Sequence, residues 1–165
     1  MFRIGVISDT HLADTGECLA FLADLAARHF PRVDLILHAG DIVVPGVLAA
    51  FAPCPVIAVR GNMDPPAPGL EIKRVVGADG ARIGLIHGWG AREGLVARVR
   101  NEFRGVSLDC LVYGHSHMPM CRYENGLLLF NPGSATGPRG GAPASIGLLE
   151  AEQGRVSGSI VEVGR

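Results

Sequence analysis

The stretch VDLILHAGD, residues 33–41, decides the fold. Leu35, Ile36 and Leu37 follow one another without a polar residue between them, and Gly40-Asp41 closes the run. A short, continuous apolar run of this kind suits a strand covered on both faces, as in a parallel sheet flanked by helices. Upstream, FRIGVIS (2–8) is a second such strand, ending at Asp9. Between them, Leu19, Leu22 and Ala26 share one face of a helix expected near 16–29. Asp14 and Glu17 have capping-box spacing and are expected to start it. Downstream, Pro45 suits the first turn of a short helix, and PVIAVRGN (55–62) reads as a third strand. The order βαβαβ argues for a parallel sheet with helices outside.

The second half changes texture. EIKRVVGADGARIGLIHG (71–88) is a hairpin turning at Asp79-Gly80. A helix is expected over 92–103, with Leu95, Val96, Val99 and Phe103 on one face. DCLVYGHSH (109–117) is another buried strand. Two more hairpins follow, turning at Asn125-Gly126 and near Gln153-Gly154. Antiparallel pairs beside parallel ones imply an α/β protein with a mixed sheet, or two packed sheets with helices outside. No linker, repeat or low-complexity tract divides the chain, so residues 1–165 are expected to form a single domain.

Composition narrows the function. The chain is 48% hydrophobic and 19% charged, enough apolar material for a core and too little charge for a disordered segment. Net charge is −1 and Lys73 is the single lysine, so no basic stripe offers a dedicated nucleic-acid surface. Cys18, Cys54, Cys110 and Cys121 form no CxxC pair and read as thiols of a reducing compartment. No apolar run is long enough to cross a bilayer. The N-terminus runs straight into a strand, with no leader pattern. A cytoplasmic protein is the expectation.

Polar residues cluster where the strands stop. Asp9 and His11 follow the first, Asp41 the second, Asn62 the third, His87 the strand 81–86, and His115 and His117 the run beginning at Cys110. Ligands of open α/β sheets bind beyond the carboxyl ends of strands. Each residue taken alone reads first as a turn former or a packed histidine. Repetition at strand after strand argues for convergence on one site. In LVYGHSHMPM (111–120), two imidazoles flank one serine; in an extended segment they point to one side and could serve one cation or two adjacent ones. Carboxylates, imidazoles and an amide oxygen, without thiolate, suit a hard-to-borderline divalent ion. Manganese comes first, with nickel, iron, zinc or magnesium as alternatives. Seven ligands exceed the need of one tetrahedral ion, and two metals sharing a carboxylate divide them sensibly.

The ordered blocks DTH (9–11), GD (40–41), RGN (60–62), HG (87–88) and GHSH (114–117) resemble the calcineurin-like metallophosphoesterases. LHAGD, RGNMD and NPGS (131–134) are similar to the small YfcE-type phosphodiesterase branch of that superfamily. The resemblance spans nearly the whole chain and implies an αββα sandwich, two mixed sheets flanked by helices. It implies that Asp9, His11 and His117 hold one metal, that Asn62, His87 and His115 hold the other, and that Asp41 bridges them. It implies hydrolysis of a small phosphoester by a hydroxide between the metals, without a protein nucleophile.

Larger members of the superfamily often carry a histidine after the motif asparagine. Met63 stands there, which shifts the expectation towards phosphodiesters and good leaving groups. Arg60, Asp64 and Arg139 are candidate substrate contacts. Asp64 reads equally as a group orienting a ligand histidine or as a turn former before Pro65-Pro66. His38 is a packed strand histidine or a support for Asp41, and His29 suits a helix C-terminus. NPGS is a structured turn near the site. The rival reading is a scaffold of the kind represented by the retromer component Vps29, whose metal set is incomplete. A metallo-β-lactamase-type hydrolase needs HxHxDH, which is absent. Exposed hairpins permit a homodimer or homotetramer.

Overall fold

The fold is that of a computed structural model, which describes residues 1–164. Its elements are β1 (Phe2–Ile7), α1 (Gly16–His29), β2 (Leu35–His38), a 3₁₀ helix (Pro45–Phe51), β3 (Val56–Ala58), β4 (Lys73–Ala78) and β5 (Ala81–Ile86). They continue with α2 (Leu95–Asn101), β6 (Cys110–Val112), β7 (Met120–Glu124), β8 (Leu127–Asn131), β9 (Ser145–Glu152) and β10 (Arg155–Glu162).

The strands form two five-stranded sheets, β10-β9-β1-β2-β3 and β4-β5-β6-β8-β7. The first is parallel on one side and antiparallel on the other, and the second is parallel in its middle and antiparallel at both margins. In the first sheet β1, β2 and β3 run parallel, with Val6 opposite Leu37, and β9 and β10 add an antiparallel hairpin. In the second, β5, β6 and β8 run parallel between the antiparallel edges β4 and β7.

Alternation of side chains along each strand sorts residues into layers. Val6, Leu35, Leu37, Leu85, Cys110, Val112, Leu128 and Phe130 fill the space between the sheets. Ile7 and Ile36 point the other way, against Leu22 and Leu25 of α1 and Val47 and Phe51 of the 3₁₀ helix. Ile86, Leu111 and Leu129 do the same against Leu95, Val99 and Phe103. Strands two-faced in this manner need helices on both outer surfaces, and the result is an αββα sandwich. Each fully buried Leu or Ile contributes about 1.5–3 kcal/mol to it.

Two helix boundaries differ from the sequence reading. Thr15, not Asp14, caps α1: its side chain accepts from the Cys18 amide at 3.3 Å. The second helix is shorter than 92–103. Gly94 sits at its N-cap in the left-handed region (φ 74°), a conformation outside the helix, so α2 starts only at Leu95. Phe103 stays buried in the turn that follows. Among the described residues no helix is long and apolar enough to cross a membrane.

Candidate metal centre

Five strand ends deliver the expected side chains to one place. β1 leads to Asp9 and His11, β2 to Asp41, β3 to Asn62, β5 to His87, and β6 to His115 and His117. The loops are stitched by their backbones: Asp9 N–H donates to Gly40 O, His11 N–H to Asp41 O, and Gly114 N–H to His87 O, at 2.9–3.1 Å. Close approach demands small residues beneath. A Cβ on Gly114 would lie 2.1 Å from Ser8 Oγ, and one on Gly61 2.1 Å from Asp41 Oδ1.

Asp9, His11, Asp41, His115 and His117 all have positive φ, between 48° and 68°. Left-handed backbone costs a non-glycine residue about 1 kcal/mol or more, so five such residues in one cluster mark a site whose geometry is enforced by its surroundings. This corrects the extended reading of GHSH. Left-handed backbone at both histidines points the imidazoles apart: His117 turns to Asp9 and His11, and His115 turns to Asn62.

Two compact groups result. Ligand atoms of Asp9, His11 and His117 all lie within 4.8 Å of one another, and so do those of Asp9, Asp41 and His87. Asp41 Oδ2 is 3.5 Å from His11 Nε2 and 3.3 Å from His87 Nε2, so it reaches both groups. Asp9 Oδ1 reaches both as well, 3.3 Å from His117 Nε2 and 3.8 Å from His87 Nε2. Asn62 Oδ1 adjoins the second group, 3.2 Å from His87 Nε2 and 3.1 Å from His115 Nδ1.

The far nitrogen of three imidazoles is fixed by a backbone carbonyl: His87 Nδ1 by Ala39 O, His117 Nδ1 by Gly137 O and His115 Nε2 by Gly90 O, at 2.5–2.8 Å. A carbonyl only accepts, so those nitrogens carry the proton. In the neutral rings the inward nitrogens then present lone pairs. Asp9 Oδ1 is buried and, among the described residues, the one buried side-chain oxygen or nitrogen without a hydrogen-bond partner. Lone pairs and carboxylate oxygens aimed at one another, with an orphaned anionic oxygen in their midst, fit divalent cations.

Charge coupling points the same way. Burial opposes ionisation of Asp41, but the hydrogen bond and charge of His87, with the Met63 amide, hold it down at about 2. Burial also opposes ionisation of Asp9, and His117, His87 and Ser8 overcome it, leaving its pKa lowered. The pKa values of His87 and His117 are raised despite burial, by Asp41 and Asp9 respectively above all.

Around the cluster stands a supporting shell that sequence reading only partly found. Asp64 is buried, and its carboxylate accepts from the amides of Asp41 (2.9 Å), Gly61 (2.7 Å) and Val43 (2.6 Å). It therefore ties the Asp41 loop to the Asn62 loop. That replaces the expected substrate contact, and it orients backbone rather than a histidine. Arg139 is exposed, and its charge opposes protonation of His117. Arg60 is half-buried, with its amide bonded to Glu71 O, and makes no side-chain hydrogen bond or ion pair to the cluster among the described residues. In NPGS, Asn131 Nδ2 donates to Gly114 O, and Ser134 Oγ donates to Asp9 O at 2.8 Å. Thr136, unmarked in the sequence, donates to Thr10 O. His38 is fully buried, accepting from Gly40 N–H and facing Thr10 Oγ1.

Two mixed sheets with acids and imidazoles meeting at their strand ends define the metallophosphoesterase class of αββα proteins. The chain belongs to the calcineurin-like phosphoesterase superfamily, whose domain model matches residues 2–154. A probable metallophosphoesterase of Methanothermobacter thermautotrophicus is 35% identical over 164 residues, 98% of this chain and 92% of that protein. The phosphodiesterase YfcE of Escherichia coli is 38% identical over 104 residues, 58% of this chain and 52% of its own length. The structure of YfcE from E. coli superposes with a TM-score of 0.67 at 27% identity, covering 90% of this chain and 88% of that one. Vps29 of Entamoeba histolytica, solved with zinc, gives a TM-score of 0.69 at 26% identity, covering 97% and 98%.

Proposed function

We propose that the whole chain is one phosphodiesterase domain acting through two divalent cations, manganese first among them, on small phosphodiesters. The observation that carries this is the orphaned Asp9 Oδ1, shared by two ligand groups that together draw in Asp41, His11, His87 and His117. Asn62 and His115 would complete the second set of ligands, and Asp41 would be shared between the two sets.

A bound pair of cations supplies an acidified water as nucleophile and positive charge against the phosphoryl oxygens. The chain's own residues do the rest. Ala39 O, Gly137 O and Gly90 O set the histidine tautomers so that lone pairs face inward. Asp64 fixes the spacing between Asp41 and Asn62. Left-handed backbone at five positions holds the donors in place before substrate arrives.

No histidine is spare to protonate a leaving group. Four of the six belong to the cluster, His38 is buried between Thr10 and Gly40, and His29 lies in the last turn of α1. Met63, at the position where a proton donor would help, is exposed and offers only its amide, to Asp41 Oδ1. Esters whose leaving oxygen needs no proton are favoured.

The test is hydrolysis of bis(p-nitrophenyl) phosphate and p-nitrophenyl phosphate with each divalent metal in turn. Diester turnover above monoester turnover, lost in D9A and H87A with folding retained, supports the reading. Monoester turnover well above diester turnover overturns the specificity. Metal binding without hydrolysis of either ester assigns the chain to the scaffold role instead.

A further inference from the structure

Eight large apolar side chains stand exposed among the described residues, and two of them border the second ligand group. Met63, 58% exposed, follows Asn62 directly. Trp89, 40% exposed, lies two residues after His87 and immediately before Gly90, whose carbonyl holds His115. Asn62 and His115 touch each other at 3.1 Å on the solvent side of the cluster. Residues 63 and 89 are therefore each one covalent step from groups that hold that contact.

The loop carrying Trp89 is built rather than slack. Arg98 of α2 sends its guanidinium under the loop and donates to three of its carbonyls: Trp89 O at 2.9 Å, Glu93 O at 3.0 Å, and Ala91 O. A Cβ on Gly88 would lie 2.7 Å from Leu95, so the loop packs directly on α2. One fork-shaped cation satisfying three carbonyls is a preorganised support. A loop whose backbone is held in this way loses little conformational entropy when Trp89 takes a partner. Exposed apolar surface beside a polar cleft is an interaction surface by chemistry, and aromatic faces take flat π systems in offset stacks.

We propose that Trp89 forms an apolar lip on the His115 side of the second ligand group, with Met63 on its Asn62 side, and receives an aromatic substituent of the substrate, so that aryl or nucleobase-bearing phosphodiesters are preferred over alkyl ones. This rests on the phosphoester reading of the same cluster and adds the substrate class to it. Arg98 acts as a positioning residue for the lip.

Trp89 is the single tryptophan of the chain, so its emission reports on this lip alone. The manganese-loaded protein is titrated with phenylphosphonate and with methylphosphonate, neither of which carries an ester to hydrolyse. Binding is read by tryptophan emission and by calorimetry. The expected result is that phenylphosphonate binds about three- to tenfold tighter, the range of one aromatic stack, and shifts Trp89 emission. W89A brings phenylphosphonate down to the affinity of methylphosphonate, and W89F keeps part of the preference. Equal affinity for the two ligands in the wild type, or a phenyl preference that survives in W89A, overturns this proposal alone. Failure of both phosphonates to bind overturns the phosphoester reading, and the lip with it.

Discussion

His11 Nε2 and His117 Nε2 face each other at 3.3 Å, from loops 106 residues apart in the chain. Their rings stack at 28°, with centroids 5.1 Å apart. His117 gives its other nitrogen to Gly137 O, so its neutral ring offers a lone pair at the contact. In the metal-free protein His11 Nε2–H can donate to that lone pair, and a cation bound between the rings would take the place of that proton.

That relationship yields a count. H117A removes one member of the first group, and H115A one contact of the second. Each is expected to lower manganese bound per chain from two to one, measured by metal analysis after equilibrium dialysis. In the wild type, cation at a hundred times its dissociation constant adds about 2.7 kcal/mol of stability. Unchanged stoichiometry in H115A would remove His115 from the ligand set.

Asp64 gives a second prediction. D64A leaves three amides, those of Asp41, Val43 and Gly61, without their acceptor. Loss of charge-assisted bonds and stranding of buried donors should cost about 3 kcal/mol or more. Because Asp41 and Asn62 lose their common tie, metal affinity should fall about 10–100-fold. D64N, which keeps an acceptor oxygen, should recover part of both. Urea denaturation and metal titration measure the two effects separately.

His38 predicts a pH dependence. Burial, opposed by the charges of Asp9 and Asp64, depresses its pKa from 6.5 to about 4, so the folded ring is neutral. A depressed histidine binds its proton more readily when unfolded. Its contribution is thus intact above pH 6.5 and lost as pH falls from there towards 4. Between pH 7 and pH 5 the loss is about 2 kcal/mol. His87 and His117, whose pKa values are raised, act in the opposite sense in metal-free protein. Comparing wild type with H38Q at both pH values isolates the His38 share, and an identical pH slope in the two proteins would refute it.

The start of α1 makes a fourth. T15A removes the oxygen that accepts from Cys18 N–H and should cost about 1 kcal/mol. D14A should leave helix stability within about 0.5 kcal/mol of wild type. Thermal unfolding of both variants decides which residue caps the helix.

Much of this arrangement was legible in local pattern. The apolar run at Leu35–His38, the turn glycines Gly80, Gly126 and Gly154, and the acid, amide or imidazole after each strand all report their own neighbourhood, and each lay where the sequence placed it. Partition of the strands into two sheets was not legible, because pairing β1 with β9 joins residues such as Val6 and Gly147, and nothing local encodes that choice. Left-handed backbone at His115 and His117 was hidden for a similar reason. It is imposed by contacts from Asp9, Asn131 and Gly137, all distant in the chain. Asp64 read equally as a turn former before Pro65-Pro66 and as a group orienting a histidine, because two of its three partners, Asp41 and Val43, lie on a loop that only the fold brings near.

The cluster also bears on how the sandwich comes apart. Asp9, His11, Asp41 and Asn62 ride on the first sheet, and His87, His115 and His117 on the second. Each ligand group spans the seam. Acid meets base across the two layers like halves of a clasp, and cations would rivet it shut. Delamination must then begin at the opposite end, so amide exchange in the loaded protein should be slowest around Gly40 and Gly114 and fastest towards the open hairpin tip at Gly126.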